Sequence, residues 1–361
     1  MTIAVVGGGI AGLAVALALH DVDDVVVLER RSSEAANAGA GIQVSPNAVK
    51  ALGSIGAAGV VALAADAPDG LCVLPAHGER PLVRLAYRPV MEQRFGAPYL
   101  TASRAALHGA LARAVAGHSV EVRHGAAVEG VSRAGDGWHL GGVDVIARLV
   151  IAADGVNSAV RRAVVGDAPR ATGWVAWRGR GRASGRDTVL ALGHGHHFVR
   201  YPLAGGADNC VLLARERDGG PGALARTPSG RRIADVDGWA PWPIDVRPRH
   251  VFHHQGIGFA GDAAHAMLPF LAQGAAMALE DAAMLRHAVR EHGPCSRALE
   301  GYAALRRGRT RRLARLAVQQ GTIYHLPFPI DRARDAAMNR LGTEGILRRV
   351  APIYGWRPPE P

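Results

Sequence analysis

Six residues, Gly7-Gly8-Gly9-Ile10-Ala11-Gly12, constrain this chain more than any other stretch. They fit the pattern GxGxxG as Gly7, Gly9 and Gly12, behind a short β-branched run (Thr2 to Val6) and ahead of an Ala/Leu helical pattern (Ile10 to His20). Val25 to Leu28 reads as a second strand ending in Glu29, so the spacing predicts one βαβ unit of about thirty residues. Gly7 permits the tight turn, Gly9 lets backbone approach a pyrophosphate, Gly12 lets the helix pack on the strand, and the helix N-terminus faces the phosphate charge. Glu29, 17 residues beyond Gly12 and followed by Arg30, is placed to hold the ribose hydroxyls of an adenosine. The unit predicts an adenine dinucleotide site without deciding between NAD and FAD.

The nearly apolar first twenty residues could mimic a signal peptide or a membrane span. No Lys or Arg precedes them, however, four glycines interrupt them, and Asp21, Asp23 and Asp24 end them. We therefore expect a buried strand, a turn and a helix, with no membrane span. Cys72, Cys210 and Cys295 form no CxxC pair, which predicts neither a disulfide framework nor a metal site and suits a reducing cytoplasm. The formal charge is +11, and Lys50 is the only lysine among 42 basic residues. The densest basic run, Arg306, Arg307, Arg309, Arg311, Arg312 and Arg315, lies in a helical pattern and reads as a solvated face. No nucleic-acid-binding motif accompanies it, so steering of an anionic substrate or of phosphorylated cofactors is the simpler account of the charge.

At 361 residues the chain has room for two domains, and two textures alternate along it. Strand and helix patterns fill the N-terminus, Leu100 to Val131 and Leu149 to Ala153. Residues 70 to 98 and 172 to 215 carry short strand-like runs with Trp, Tyr and Gly or Pro turns, as an antiparallel sheet would. From Ala275 to about Gln320 the pattern is helical, and a further helix is expected from Arg332 to Val350.

Two more constellations carry chemistry. Val150 to Arg161 reads as a strand, an acidic turn at Asp154-Gly155 and a helix start. Gly258-Phe259-Ala260-Gly261-Asp262 is followed by His265, Pro269, Gln273-Gly274-Ala275-Ala276 and a helix through Glu280-Asp281. With these, the chain resembles the flavin-dependent aromatic hydroxylases, the single-component monooxygenases typified by p-hydroxybenzoate, salicylate and 6-hydroxynicotinate hydroxylases. The dinucleotide turn, the "DG" pair and the "GD" pair stand in that family's order. Gly39-Ala40-Gly41-Ile42-Gln43, Arg104 and the closing Tyr354-Gly355-Trp356 extend the match over nearly the whole chain.

The resemblance implies an α/β fold. A discontinuous Rossmann-like FAD domain (1–69, 99–170 and 250–310) would be interwoven with an antiparallel-sheet substrate domain (70–98 and 171–249), followed by a C-terminal helical segment (311–361). It implies that Asp262 meets the ribityl hydroxyls and that Pro269, Gly274 and Ala275 face the flavin pyrimidine edge. Arg104 would meet the flavin and its phosphates, Gln43 the ribityl chain or ring, and Val128 the adenine through its backbone. Asp154 and Arg161 would shape FAD binding and the approach of the nicotinamide, while His265 would be a structural hydrogen-bond partner. No second glycine-rich turn follows, so NADH or NADPH is expected as a transient co-substrate.

On the substrate side, His194 to Pro202 resembles the family strand that lines the pocket, backed by Trp177-Arg178. Alternation sends His197, Val199 and Tyr201 to one face and Phe198 and Arg200 to the other. The resemblance gives His197 and Tyr201 contact with the substrate hydroxyl, where a base would enrich the ring in electrons. The expected reaction is an NAD(P)H- and O2-dependent hydroxylation, through a flavin C4a-hydroperoxide, of a phenol-like or N-heteroaromatic small molecule by a monomer or homodimer. The alternative is a natural-product tailoring monooxygenase or epoxidase with a larger polycyclic or terpenoid substrate.

Overall fold

A computed structural model describes residues 2–32, 41–226, 232–233 and 235–359. Gly39 and Ala40 lie outside the described residues. The architecture is mixed α/β, built on two large sheets and a small third one.

The first sheet holds Thr2–Val6 at its centre, parallel to Val25–Glu29 on one side and to Val145–Ala152 on the other. Ile257–Phe259 adds to the far edge of Val145–Ala152, also parallel, and Val120–His124 adds beyond Val25–Glu29. Continuous apolar runs suit such strands, because helices cover a parallel sheet on both faces. Ile3, Ala4, Val5, Val27 and Val150 are accordingly fully buried. Helix Ile10–Leu19 is buried on nearly every side. It is wedged between this sheet and helix Gly274–His292, which accounts for an apolar pattern without a polar stripe.

Register explains how three motifs far apart in sequence meet. Val6 lies beside Ala152, and Ala152 lies beside Phe259. The residues that follow each of them are Gly7, Ala153-Asp154 and Ala260-Gly261-Asp262. All three turns therefore leave the carboxyl ends of adjacent parallel strands, where open α/β sheets bind their ligands.

The second sheet has seven strands in the order Val236–Val246, Arg170–Arg182, Ala207–Arg215, His196–Leu203, Thr188–Leu192, Gly70–Leu74 and Val83–Ala86. It is antiparallel except where Thr188–Leu192 runs parallel to Gly70–Leu74. Gly41–Val44 pairs with Leu100–Ser103 between the two large sheets.

Helix Ser296–Tyr324 runs unbroken past residue 310, so the FAD-domain boundary expected there falls inside a continuous element. The last helix, Ile330–Tyr354, is interrupted at Gly342 (φ 56°, ψ −157°). Among the described residues no helix is long and apolar enough to cross a membrane.

The basic run is not uniformly a solvated face. Arg307, Arg311, Arg312 and Arg315 are exposed, but Arg306 is 0% exposed and Arg309 is turned inward one turn later. Helical periodicity puts Arg306, Thr310, Leu313 and Ala317 on the core side. There Arg306 meets two buried carboxylates, with Nη1 2.8 Å from Glu280 and Nε 2.7 Å from Asp281. Arg309 binds Glu280 through both Nε and Nη2. Asp281 also accepts from the Gly261 backbone N–H (2.8 Å) and from His265 Nε2 (2.6 Å), and Glu280 accepts from Asn47 Nδ2 (2.7 Å). Burial opposes the charge on Asp281, but His265 and Arg306 outweigh it and hold the carboxyl below its usual range.

Removing one member of such a network leaves buried charge without compensation, at about 3–5 kcal/mol. Arg306→Met is therefore expected to lower the melting temperature sharply. A loss under about 1 kcal/mol by denaturant titration would show that the fold does not depend on this cation.

Candidate active site

The glycine turn is sterically determined. Gly7 has φ 105°, and a Cβ placed on it would stand 2.6 Å from the Ala153 carbonyl oxygen, so the turn lies directly against the second motif. A Cβ on Gly12 would fall 1.8 Å from the Gly7 oxygen. A Cβ on Gly9 meets nothing within 4 Å, because Gly9 faces the cavity. Helix Ile10–Leu19 starts after extended Gly9 with no side-chain cap, leaving its N-terminal charge to a ligand. Glu29 Oε2 accepts the Gly8 N–H at 2.7 Å, and Oε1 accepts the Arg31 N–H and Nε–H. Burial raises the Glu29 pKa, but the Arg31 and Gly8 hydrogen bonds prevail and keep it low. Arg30, in contrast, is exposed and outside the cavity wall. Val128 packs in the core; just before it, the Ala126 N–H donates to the Glu29 carbonyl.

At the second turn Asp154 Oδ2 accepts the Ala159 N–H (2.8 Å) at the start of helix Ala159–Val165, while its buried Oδ1 has no partner among the described residues. Burial raises its pKa, against the hydrogen bonds of Ser158 and the helix start. The neighbours Ala153, Gly155 and Val156 line the cavity. Arg161 corrects an expectation: it is fully buried and directs all five N–H donors at protein. Nε and Nη2 grip Asp167, Nη2 also reaches the Arg249 carbonyl, and Nη1 holds the carbonyls of Ala263 and Ala264. No donor remains for a nicotinamide or flavin, so Arg161 acts by tying the second motif to the third.

Asp262 opens the third motif's short helix, exposed on the cavity wall within electrostatic reach of Arg104, which also lines it. Pro269, Gly274 and Ala275 lie on the same wall. The 19-residue helix Gly274–His292 likewise begins without a side-chain cap, since Gln273 spends its amide on Ser45 Oγ and Asn47 Nδ2. Gln43 lines the cavity too and accepts a hydrogen bond from the Tyr99 hydroxyl.

These walls enclose one cavity of about 770 Å³, running from the dinucleotide turn across the second sheet to the C-terminal helices. His197, Val199 and Tyr201 face it, while Phe198 packs into the core behind the sheet and Arg200 binds Asp208. Tyr201 lies against Gly41, and burial pushes its hydroxyl pKa upward. Arg178 joins the wall with its guanidinium 4.7 Å above the Trp242 ring.

His197 Nδ1 is 2.8 Å from His325 Nε2, a residue the sequence did not single out because it ends a helix in a Pro-rich stretch without any motif. With both rings neutral, one donates and the other accepts. Burial, then the mutual repulsion of the rings, holds His197 well below the usual histidine range. Burial and surrounding cations, including Arg215, push His325 down to about 3. Stacking of His325 on Trp174 (4.6 Å) and edge contact of His197 with Phe270 (5.7 Å) and Tyr324 (5.3 Å) fix the pair's orientation.

Comparison with known proteins agrees with this geometry. A family model described as "FAD binding domain" matches residues 1–178. The chain is 30% identical to a 3-hydroxybenzoate 6-hydroxylase of Klebsiella oxytoca, over 98% of this chain and 96% of that one. It is 35% identical to a 3-amino-4-hydroxybenzoate 2-monooxygenase of Streptomyces cremeus, over 90% and 88% respectively. Klebsiella pneumoniae HpxO, solved with FAD and uric acid, superposes with a TM-score of 0.84 at 25% identity, over 98% and 97% of the two chains.

Two experiments probe the site. Gly9→Val has backbone and space that accept a side chain, so it is expected to fold normally yet bind FAD at least about tenfold more weakly, one such contact being worth ~1.4 kcal/mol; unaltered FAD affinity would remove Gly9 from the site. The histidine pair predicts acid sensitivity. Above pH 6.5 both rings are neutral folded or unfolded; below it the unfolded chain takes up protons that the folded chain refuses. Stability should then fall by up to about 1.4 kcal/mol per pH unit for each ring. Melting curves from pH 7 to 4.5 should be flatter for the double variant His197→Phe, His325→Phe, and parallel curves would assign the acid loss elsewhere.

Proposed function

The chain belongs to the FAD-dependent aromatic hydroxylases, and from that membership we propose that it uses NAD(P)H and O2 to place one oxygen atom on an electron-rich ring, phenol-like or N-heteroaromatic. In balance, NAD(P)H, a proton, O2 and the ring yield NAD(P)+, water and the hydroxylated ring. The single observation carrying this reading is the continuity of the cavity from Gly9 and Asp262 to His197 and Tyr201. Relatives named for 3-hydroxybenzoate and 3-amino-4-hydroxybenzoate support a hydroxylated ring as substrate.

The residues fit FAD. Gly9 leaves open the space that any side chain would fill, two uncapped helix N-termini face the cavity, and Asp262 presents a carboxylate acceptor suited to hydroxyls. Bound FAD supplies two-electron activation of O2 and delivery of one oxygen atom. In this reading Glu29 takes the adenosine ribose, the start of helix Ile10–Leu19 the pyrophosphate, and Asp262 the ribityl chain. The N–H groups of Gly274 and Ala275 then stabilise negative charge at the pyrimidine edge, and Arg104 adds a cation.

The remaining steps belong to side chains of the second sheet. With Nδ1–H donated to His325, His197 offers the Nε2 lone pair to the ring's hydroxyl proton, which raises the electron density of the ring. Being neutral across the physiological range, it is ready without prior deprotonation. Tyr201, held protonated, donates a hydrogen bond to the same hydroxyl. Val199, Val211, Leu213 and Phe270 keep water from the reacting atoms.

Purified protein should carry or take up FAD and oxidise NADH or NADPH faster with a phenolic or hydroxypyridine substrate, giving a product 16 mass units heavier as one oxygen is added. FAD uptake without such a product from any ring tested would defeat the proposal. His197→Asn should cut kcat about 10²- to 10⁴-fold with FAD affinity unchanged; a loss under threefold would remove His197 from proton transfer.

A further inference from the structure

The cavity takes the flavin at one end and the substrate beyond it, and its two ends differ in character. Its floor receives side chains from five consecutive strands, from Ala176 on Arg170–Arg182 to Leu71 and Val73 on Gly70–Leu74. At about 4.8 Å per strand step, that floor is about 19 Å wide. The flavin-side loop lies at one end, where Phe270 and Leu268 pack on Trp174, Ala176 and Leu213. His197 stands midway.

Beyond it the wall turns largely apolar, with Thr188, Gln320 and Tyr324 as polar groups among the aliphatic ones. Leu71, Val73, Leu190 and Val199 on the sheet face Tyr324, Met338 and Ile346 of the two C-terminal helices. Two arginines, Arg334 and Arg349, also line that end, each partly engaged by protein. Arg349 donates Nε–H to Gln320 Oε1, and Arg334 donates to the carbonyls of Ile323 and Tyr324 and to Asp335. The far end reaches the surface beside Leu341, which lines the cavity yet is 58% exposed, next to the break at Gly342. A compact, charged hydroxybenzoate would leave this end wet, with apolar surface against water.

We propose that the space between Gly70–Leu74, Thr188–Leu192 and the two C-terminal helices is a subsite for an uncharged aliphatic chain carried by the substrate's ring. The inference rests on the aromatic-hydroxylase reading and narrows its substrate class to alkyl-bearing rings. A ring held at His197 points such a chain away from the flavin-side loop, toward Met338 and the opening at Leu341. The break at Gly342 leaves that opening uncovered by a continuous helix.

Calorimetry on the FAD-loaded protein with 4-alkylphenols from ethyl to octyl, and with 3-hydroxybenzoate, tests the subsite without requiring turnover. Each added methylene should tighten binding about fourfold until the chain reaches the opening. Met338→Trp, which fills the subsite, should weaken 4-octylphenol at least tenfold and leave 4-ethylphenol within twofold. Affinity independent of chain length, or equal weakening of both phenols by Met338→Trp, overturns the proposal. Oxidation of NAD(P)H stimulated by small phenols without any chain-length dependence sinks the subsite alone. Chain-length dependence that Met338→Trp abolishes, without stimulated NAD(P)H oxidation, supports the subsite and counts against the hydroxylase reading.

Discussion

The pairing of Arg306 with Glu280 and Asp281 is the constraint on which the site depends. Three fully buried charges are tolerable only when each finds its partners, and here each does. The carboxylates that neutralise Arg306 also position the cofactor-facing backbone: Asp281 takes the Gly261 N–H, and Glu280 takes Asn47, which in turn holds Gln273. Arg161 repeats the device from the other side by gripping the carbonyls of Ala263 and Ala264. The loop that carries Asp262 is thus held between two buried guanidiniums, and its exposed carboxylate is aimed by groups that never touch a ligand.

That arrangement explains what was legible in the sequence. The dinucleotide turn could be read because its sterics act locally: Gly12 must lack a Cβ to clear the Gly7 oxygen, whatever surrounds it. Strand, turn and helix order gave the parallel sheet, and period-two alternation put His197, Val199 and Tyr201 on one face, as they stand. Arg306 and Arg161 were misjudged for one reason. An arginine's type and spacing do not say whether its partners are water or carboxylates distant in sequence, and both arginines answer to groups placed by other elements. His325 lacked any signal, since its meaning arises only when the end of one helix meets the middle strand of a sheet.

The histidine pair shows how the second sheet creates chemistry from burial. A single imidazole in this cavity would lose its proton through desolvation, but nothing would orient it. Pairing with a second neutral imidazole, itself stacked on Trp174, selects a rotamer and gives one ring the donor role and the other the acceptor role. Neutrality also suits the surroundings: Arg178 and Arg104 already bring positive charge to the cavity, and a protonated histidine would add to it.

The two halves of the cavity therefore encode their ligands in different ways. The cofactor half consists of backbone turns at strand ends, where only glycine, proline or a capping acid satisfies the geometry, so its identity is written in short motifs. The half over the second sheet sets His197 and Tyr201 beside a largely apolar wall closed by two helices, and no short motif marks that wall. Leu190, Met338 and Ile346 pack in one apolar cluster, and such clusters tolerate volume-conserving exchange better than backbone turns do. The two halves are thus built separately: buried arginines fix the loop that carries Asp262, while the C-terminal helices close the other end of the cavity.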